Sequence, residues 1–180
     1  IMAGGKGERL GTLTKKCPKP MLTIKGKPIL EIIIENCINS GFKQFYISVN
    51  YLKETIIDYF GSGDKWNITI NYLEENKPLG TCGSLSHLPN DIKHDLILMN
   101  GDVITELEFN RFLNFHLKKD TLLSVCSRNH RVRVPFAVFN TQNEFLQDFI
   151  EKPMYEYQIN AGVYALKPKL LKRIPNDYFH

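Results

Sequence analysis

The sequence has 180 residues, enough for one domain with a sizeable buried core. Hydrophobic residues make up 43% of it and aromatic residues 11%, a composition that excludes a disordered chain. The net charge is only +4 and the basic residues are scattered, so the charge does not indicate a nucleic-acid surface. No apolar run approaches the roughly 18 residues of a membrane span, and the four cysteines lack metal-ligand spacing. We therefore expect a cytoplasmic protein with free thiols that contacts neither nucleic acid nor a membrane.

A glycine-rich loop over residues 3–7 is the first element. Glycines let the backbone take positive φ angles and bring its N–H groups close to a bulky anion such as phosphate. Arg9 and Lys19 flank the loop, one as a planar fork and the other as a mobile point charge. A Walker A loop would need Lys and then Ser or Thr after Gly7, where Glu8 and Arg9 stand. A dinucleotide fingerprint would need glycine at the position of Leu10. GxG alone would indicate an ordinary turn, but with these cations we predict a triphosphate-binding loop formed by Ala3, Gly4, Gly5 and Gly7.

Alternating apolar segments predict strands and helices in turn, which is typical of a mostly parallel sheet covered on both faces. The predicted strands are 21–24, 45–49, 68–73, 96–99, 122–127 and 160–166, the predicted helices are 29–40, 51–60 and 109–119, and residues 136–151 form a predicted hairpin. A strand leading into the loop would need apolar residues before Ile1, and the chain ends soon after an apolar segment. We therefore expect residues 1–180 to form a single domain that is truncated at both ends.

Three further segments carry polar groups in positions that suit a ligand. Gly80 and Thr81 lie in a glycine-containing stretch that either approaches a flat ring or simply begins a helix. Asp102 follows the most buried predicted strand at its carboxyl end, where open α/β sheets place ligands, and its carboxylate suits Mg²⁺, although Asn-Gly-Asp is also a common turn. Glu151 and Lys152 on their own would indicate surface charge.

Together these residues resemble the signature of the sugar-1-phosphate nucleotidyltransferases, also called nucleotide-sugar pyrophosphorylases. The resemblance begins with Ala3-Gly4-Gly5-x-Gly7-x-Arg9-Leu10, Leu13-Thr14 and Pro18-Lys19-Pro20-Met21. It implies a Rossmann-like three-layer α/β/α fold with a mostly parallel, mixed sheet, of the nucleotide-diphospho-sugar transferase type. The implied reaction converts an NTP and a sugar 1-phosphate to an NDP-sugar and pyrophosphate with Mg²⁺. Family members usually have Thr or Ser at Glu8 and Pro at Thr12, so the rim of the loop differs here.

The resemblance also implies a role for each matching residue. Arg9 and Lys19 would hold the β and γ phosphates, Asp102 would hold Mg²⁺ on the α-phosphate, and Lys152 would fix the sugar phosphate. The partner Asp of the family's metal site would lie beyond this chain's end. The implied nucleotide-binding residues are Ala3, Gly4, Gly5, Gly7, Glu75, Gly80, Thr81 and Gly101, and the implied sugar-binding residues are Ala137, Glu151 and Asn160. Ala137 stands where the family usually has glycine, which narrows the sugar pocket and disfavours glucose-like substrates.

Glu75 bears on the nucleobase. Relatives that bind uracil or thymine commonly have glutamine near this place, whereas a carboxylate can accept both the N1–H and the amine of guanine. The sequence is therefore closest to guanylyltransferases that act on hexose or hexosamine phosphates, although two solvated acids in a loop remain the alternative. UTP, CTP and dTTP stay open, and so does homo-oligomerisation. A non-catalytic, nucleotide-sugar-binding regulatory homologue is a second reading, and a glycosyltransferase would need an Asp-x-Asp motif that Asp102-Val103-Ile104 lacks.

Overall fold

The computed structural model describes residues 1–5, 7–75, 79–80 and 82–174. The chain divides into two compact units. The first contains residues 1–124 and the chain from Gly162 onward, and the second is Val125–Ala161. No helix in the described ranges is long and apolar enough to cross a membrane.

A short hairpin and a helix open the first unit after the glycine loop. Strands β1 (Thr23–Ile24) and β2 (Lys27–Pro28) pair antiparallel around Lys25 and Gly26, which both have positive φ as a two-residue hairpin turn requires. The predicted strand 21–24 was therefore too long, because Lys19–Met21 forms a 3-10 turn instead. Helix α1 (Ile29–Asn39) follows directly and is confirmed, with Gly41 at φ 90° ending it.

A β-α-β unit comes next, and it carries the parallel pairing that the sequence predicts. Strand β3 (Gln44–Val49), helix α2 (Lys53–Phe60) and strand β4 (Thr69–Glu74) follow one another. The two strands pair in parallel from Gln44 opposite Thr69 to Val49 opposite Glu74. The pairing places the residues after Val49 and after Glu74 at the same edge of the sheet.

A three-stranded sheet follows along the chain, in the order β5-β9-β6. Its strands are β5 (Leu96–Met99), β6 (Leu123–Arg133) and β9 (Met154–Leu166), with helix α3 (Phe109–Lys119) between the first two along the chain. Strand β9 pairs antiparallel with β5. Strands β6 and β9 are longer than predicted, because most of their added residues are exposed and give no apolar signal. Helix α4 (Pro168–Leu171) follows β9.

The second unit contains the predicted hairpin, built from strands β7 (Val138–Gln142) and β8 (Phe145–Ile150). They pair antiparallel, with a bulge between Asn140 and Thr141. The turn falls at Asn143 and Glu144, and both residues have positive φ.

The first residues of the chain lie between β3 and β5. Met2 forms parallel bridges with both Ser48 and Asn100. Its N–H donates to the Met99 carbonyl at 2.8 Å, and the Ala3 N–H donates to the Ser48 carbonyl at 3.0 Å. The glycine loop is thereby fixed at the carboxyl ends of two neighbouring strands, where open α/β sheets bind ligands.

A cavity of about 890 Å³ lies elsewhere in the first unit. Its lining includes the start of β3 and all of β5. Among the described residues, none that the sequence assigns to the site lines this cavity, so its size carries no functional argument.

Candidate active site

The glycine loop is held closely against the end of β5. The Gly101 N–H donates to the Met2 carbonyl at 2.7 Å. A Cβ on Gly101 would stand 2.8 Å from that same oxygen and 3.3 Å from Ala3 Cα. Real side chains do not approach a backbone oxygen so closely, and only glycine fits here. The close approach therefore explains why position 101 is glycine, whereas its role in nucleotide binding stays a prediction.

The far end of the loop turns at Gly7, which has φ 64°. The buried Thr14 hydroxyl donates to the Gly7 carbonyl at 3.1 Å. A Cβ on Gly7 would lie 3.3 Å from Lys19 Cβ, so the stem of Lys19 rises beside the loop. The side chain of Arg9 lies outside the described part of the structure, as does Thr81.

Two predicted catalytic residues form an ion pair. The Lys19 ammonium donates to Asp102 Oδ2, although 83 residues separate them in the sequence. Their side chains are 38% and 28% exposed, so water reaches both groups. The arrangement places one cation and one carboxylate beside the glycine loop, which are the two charges needed to bind a phosphate and a metal ion.

Glu75 lies against the loop, whereas its neighbour Glu74 does not. A Cβ on Gly4 would lie 3.4 Å from Glu75 Oε1, and Glu75 Oε2 accepts a hydrogen bond from the Leu79 N–H at 3.1 Å. Glu74 is half exposed and forms an ion pair with Lys53. The structure therefore separates the two acids into one beside the loop and one on the surface.

Asn50, which is not among the sequence-predicted site residues, holds Glu75 in place. Its Nδ2 donates to the Glu75 carbonyl at 2.8 Å, and the Glu75 N–H donates to the Val49 carbonyl at 3.0 Å. A Cβ on Gly4 would lie 3.3 Å from Asn50 Cβ. The sequence does contain a signal for Asn50, since it is a polar residue directly after a buried strand. Asp102 has a similar position, three residues after the end of β5.

The other predicted site residues belong to the second unit. Lys152 has φ 47° and lies 3.6 Å from the Glu151 carboxylate, and both side chains are more than half exposed. Ala137 is half-buried and Asn160 is exposed. The structure thus places the four residues assigned to the sugar phosphate in one compact unit, with Lys152 in the left-handed region of the backbone.

A protein-family model, described as nucleotidyl transferase, matches residues 1–179 of this chain. The chain belongs to the nucleotidyltransferase family. It is 36% identical over 180 residues to the bifunctional protein GlmU of Methanococcus maripaludis, covering 98% of this chain and 41% of that protein. It is 31% identical to mannose-1-phosphate guanylyltransferase of Mycobacterium tuberculosis, covering 97% of this chain and 50% of that protein. The chain therefore spans about half the length of these curated relatives, or less.

Solved structures of the family have the same fold. The crystal structure of HddC from Yersinia pseudotuberculosis matches 99% of this chain and 80% of its own, with 30% identity and a TM-score of 0.76. A second structure of HddC, complexed with GMP-PN, has a TM-score of 0.74. The sequence-based expectation of the sugar-1-phosphate nucleotidyltransferase family and of a mixed α/β fold is confirmed.

Asp102 fits the divalent metal that this family generally requires. Within the described residues no cluster of three or more metal-binding side chains occurs. Mg²⁺ does not need such a cluster, since it is commonly bound by one or two carboxylates together with substrate phosphates and water. Asp102 is partly exposed beside the glycine loop, so its oxygens can supply one or two of these ligands.

A second polar cluster lies between α3 and β6, outside the family site. The His116 side chain is fully buried, and its Nδ1 lies 2.8 Å from Ser124 Oγ. Its Nε2 lies 3.5 Å from Asp95 Oδ2. The order of the three groups is that of a serine hydrolase, but Ser124 is buried and no substrate could reach it. We therefore assign the cluster to packing.

Proposed function

We propose that the full protein joins an NTP to a sugar 1-phosphate, releasing pyrophosphate and an NDP-sugar. The pairing of Lys19 with Asp102 beside the glycine loop is the observation that carries this proposal. It brings together, from distant parts of the sequence, the two charges that the reaction needs. The family match over nearly the whole chain supports the same reaction class.

The proposed reaction needs positioning and charge neutralisation more than covalent chemistry. An oxygen of the sugar phosphate attacks the α-phosphorus in line, and pyrophosphate leaves on the opposite side. Lys19 and Arg9 bind the β and γ phosphates and then the departing pyrophosphate. Lys152 holds the attacking phosphate, which is already an anion and needs no base. A Mg²⁺ held by Asp102 would supply positive charge at the α-phosphate.

Guanine is the proposed base, and the place of Glu75 supports it. Its carboxylate lies beside Gly4 and is oriented by the Leu79 N–H, with its Oε1 free of that bond. A carboxylate so held can accept two adjacent donors, which guanine has and uracil lacks. The relatives point both ways, because some are named guanylyltransferases and one is named for UTP and glucose 1-phosphate.

The proposed sugar substrate is a hexose or hexosamine 1-phosphate, with Ala137, Glu151 and Asn160 near its ring. Ala137 stands where the family usually has glycine. This difference favours a second candidate, a regulatory homologue that binds a nucleotide sugar without converting it. We further propose that the enzyme is cytoplasmic, in line with the four free cysteines. We also propose that residues 1–180 form one domain of it. Its oligomeric state can be measured by light scattering.

Pyrophosphate release from the full protein with Mg²⁺ tests the proposal. Each NTP and dTTP is combined with a panel of hexose and hexosamine 1-phosphates. We expect release that depends on one nucleotide and one sugar phosphate. Binding without release in every combination would favour the regulatory homologue.

A matched pair of lysine variants tests the role of Lys19. Lys19→Ala should lower kcat by orders of magnitude while NDP-sugar binding survives, because the lysine neutralises the leaving pyrophosphate. Lys27→Ala breaks the comparable ion pair with Glu35 in α1 and should leave kcat near the wild-type value. Near-normal turnover of Lys19→Ala would remove this lysine from the mechanism.

A matched pair of glutamate variants tests the base. Glu75→Gln should lower kcat/KM for GTP relative to UTP, since the amide presents a donor to the guanine N1–H or amine. Glu74→Gln, one residue away and paired with Lys53, should leave that ratio unchanged. An unchanged ratio in Glu75→Gln would end the guanine argument.

A further inference from the structure

The ion pair between Lys19 and Asp102 joins two groups whose proposed partners are different molecules. Lys19 begins a 3-10 turn whose next two residues, Pro20 and Met21, are buried. Asp102 follows Gly101, whose N–H is bonded to Met2 at 2.7 Å. Both backbones are thus fixed to the same framework around the loop.

While the pair exists, each group is less available for its proposed role. The Lys19 ammonium neutralises the carboxylate, which lowers the attraction of Asp102 for a divalent cation. The carboxylate in turn lowers the attraction of Lys19 for a phosphate. Binding of either ligand alone would leave one partner of a half-buried pair without its counter-charge, and that cost opposes binding.

A metal–nucleotide complex removes this cost, because it brings both counter-charges at once. Lys19 would then pair with the phosphates and Asp102 would bind the metal, so each charge of the ion pair exchanges one partner for another. We propose that Lys19 and Asp102 form an exchangeable ion pair, which couples metal binding to nucleotide binding at this site. The inference rests on the proposed function. It adds that, in the free protein, Lys19 pairs with the carboxylate that would bind the metal.

The coupling has a predicted size and must act in both directions. Ion pairs with this degree of exposure change an equilibrium by up to about fivefold. If the nucleotide raises the affinity for the metal by this factor, the metal raises the affinity for the nucleotide by the same factor. Opening the pair by mutation should therefore strengthen the binding of one ligand in the absence of the other.

The first test measures Mn²⁺ binding to the full protein without nucleotide, by electron paramagnetic resonance of the free ion. Lys19→Met should bind Mn²⁺ about fivefold more tightly than the wild type. Lys27→Met is the control, because it loses the same charge and breaks the ion pair with Glu35, whose side chains are exposed to a similar degree. Equal Mn²⁺ affinities in the two variants would overturn the proposal.

The second test uses the other partner and needs no metal. In EDTA, Asp102→Asn should bind GTP about fivefold more tightly than the wild type, because Lys19 is released toward the phosphates. A residue that only supported the fold would give weaker binding or none. Adding Lys19→Met to Asp102→Asn should remove the gain. Failure of Asp102→Asn to gain affinity, with circular dichroism showing an intact fold, would overturn the exchange.

The two proposals fail in different ways. Absence of pyrophosphate release in every substrate combination would refute the proposed function. Normal release, with Mn²⁺ affinity unaffected by Lys19→Met, would refute the exchange alone.

Discussion

Replacing Gly101 with alanine should destabilise the protein and displace the start of the glycine loop. The added Cβ would stand 2.8 Å from the Met2 carbonyl oxygen. Carbon–oxygen contacts in proteins begin at roughly 3.3 Å, so one of the two segments must move by about 0.5 Å. The neighbouring atom is backbone, and the Met2 N–H donates to the Met99 carbonyl at 2.8 Å, so hydrogen bonds hold both backbone polar groups of Met2. Overpacking of this kind costs about 1–3 kcal/mol.

Gly5→Ala is the matched control for this prediction. An added Cβ there meets no atom within 4 Å, and the backbone of Gly5 is not in the left-handed region. Either substitution gains about 0.4–1 kcal/mol by restricting the unfolded chain. The free energies of unfolding of the two variants should therefore differ by about 1–3 kcal/mol, with Gly101→Ala the less stable.

Urea unfolding followed by circular dichroism measures that difference. GTP binding by Gly101→Ala should also weaken, because the loop begins at Ala3, directly after the displaced residue. Equal stability of the two variants would refute the steric argument. Reduced stability with unchanged GTP affinity would instead mean that the contact between Gly101 and Met2 stabilises the fold without affecting nucleotide binding.

Three further predictions concern groups outside the loop. Ser124→Ala removes the 2.8 Å hydrogen bond to buried His116 and should lower the free energy of unfolding by about 1–2 kcal/mol, as measured in urea. Tyr59→Phe removes the 2.6 Å hydrogen bond to buried Glu31 and should cost about 1 kcal/mol in the same assay; no change would mean that water replaces the hydroxyl. Burial raises the pKa of Cys37 to about 11, so its contribution to stability should be lost as the pH rises from 9 through 11, and iodoacetamide should alkylate it only after unfolding.

The order of the elements was predictable because each has a strong local pattern. Helix α1 was predicted to within one residue, since its apolar spacing ends at Gly41, which can adopt the positive φ that ends a helix. Strands β3 and β4 were predicted from apolar runs and end within one residue of the prediction. The lengths of β6 and β9 were not predictable, because exposed strand residues are held by pairing with a neighbour and leave no apolar pattern.

The candidate site was predictable only where a residue type is required by its immediate surroundings. The glycine loop and the carboxylate after β5 were assigned from residue types, their spacing and the family resemblance, because each segment alone could be an ordinary turn. The distinction between Glu74 and Glu75 could not, because side chains of neighbouring residues in extended chain point in opposite directions and the pairing of β4 decides which one faces the loop. The same holds for Asn50, whose role depends on Glu75 being beside it.

The sequence by itself determined the glycine loop, the alternation of strands and helices, and the membership of a family. These depend on local chemistry: glycines permit positive φ, and apolar spacing selects helix or strand. Only the tertiary structure decided that Lys19 meets Asp102 and that Gly101 must be glycine. Both contacts join segments about 80 or more residues apart, and nothing in either segment indicates its partner until the parallel strands bring their carboxyl ends to one edge.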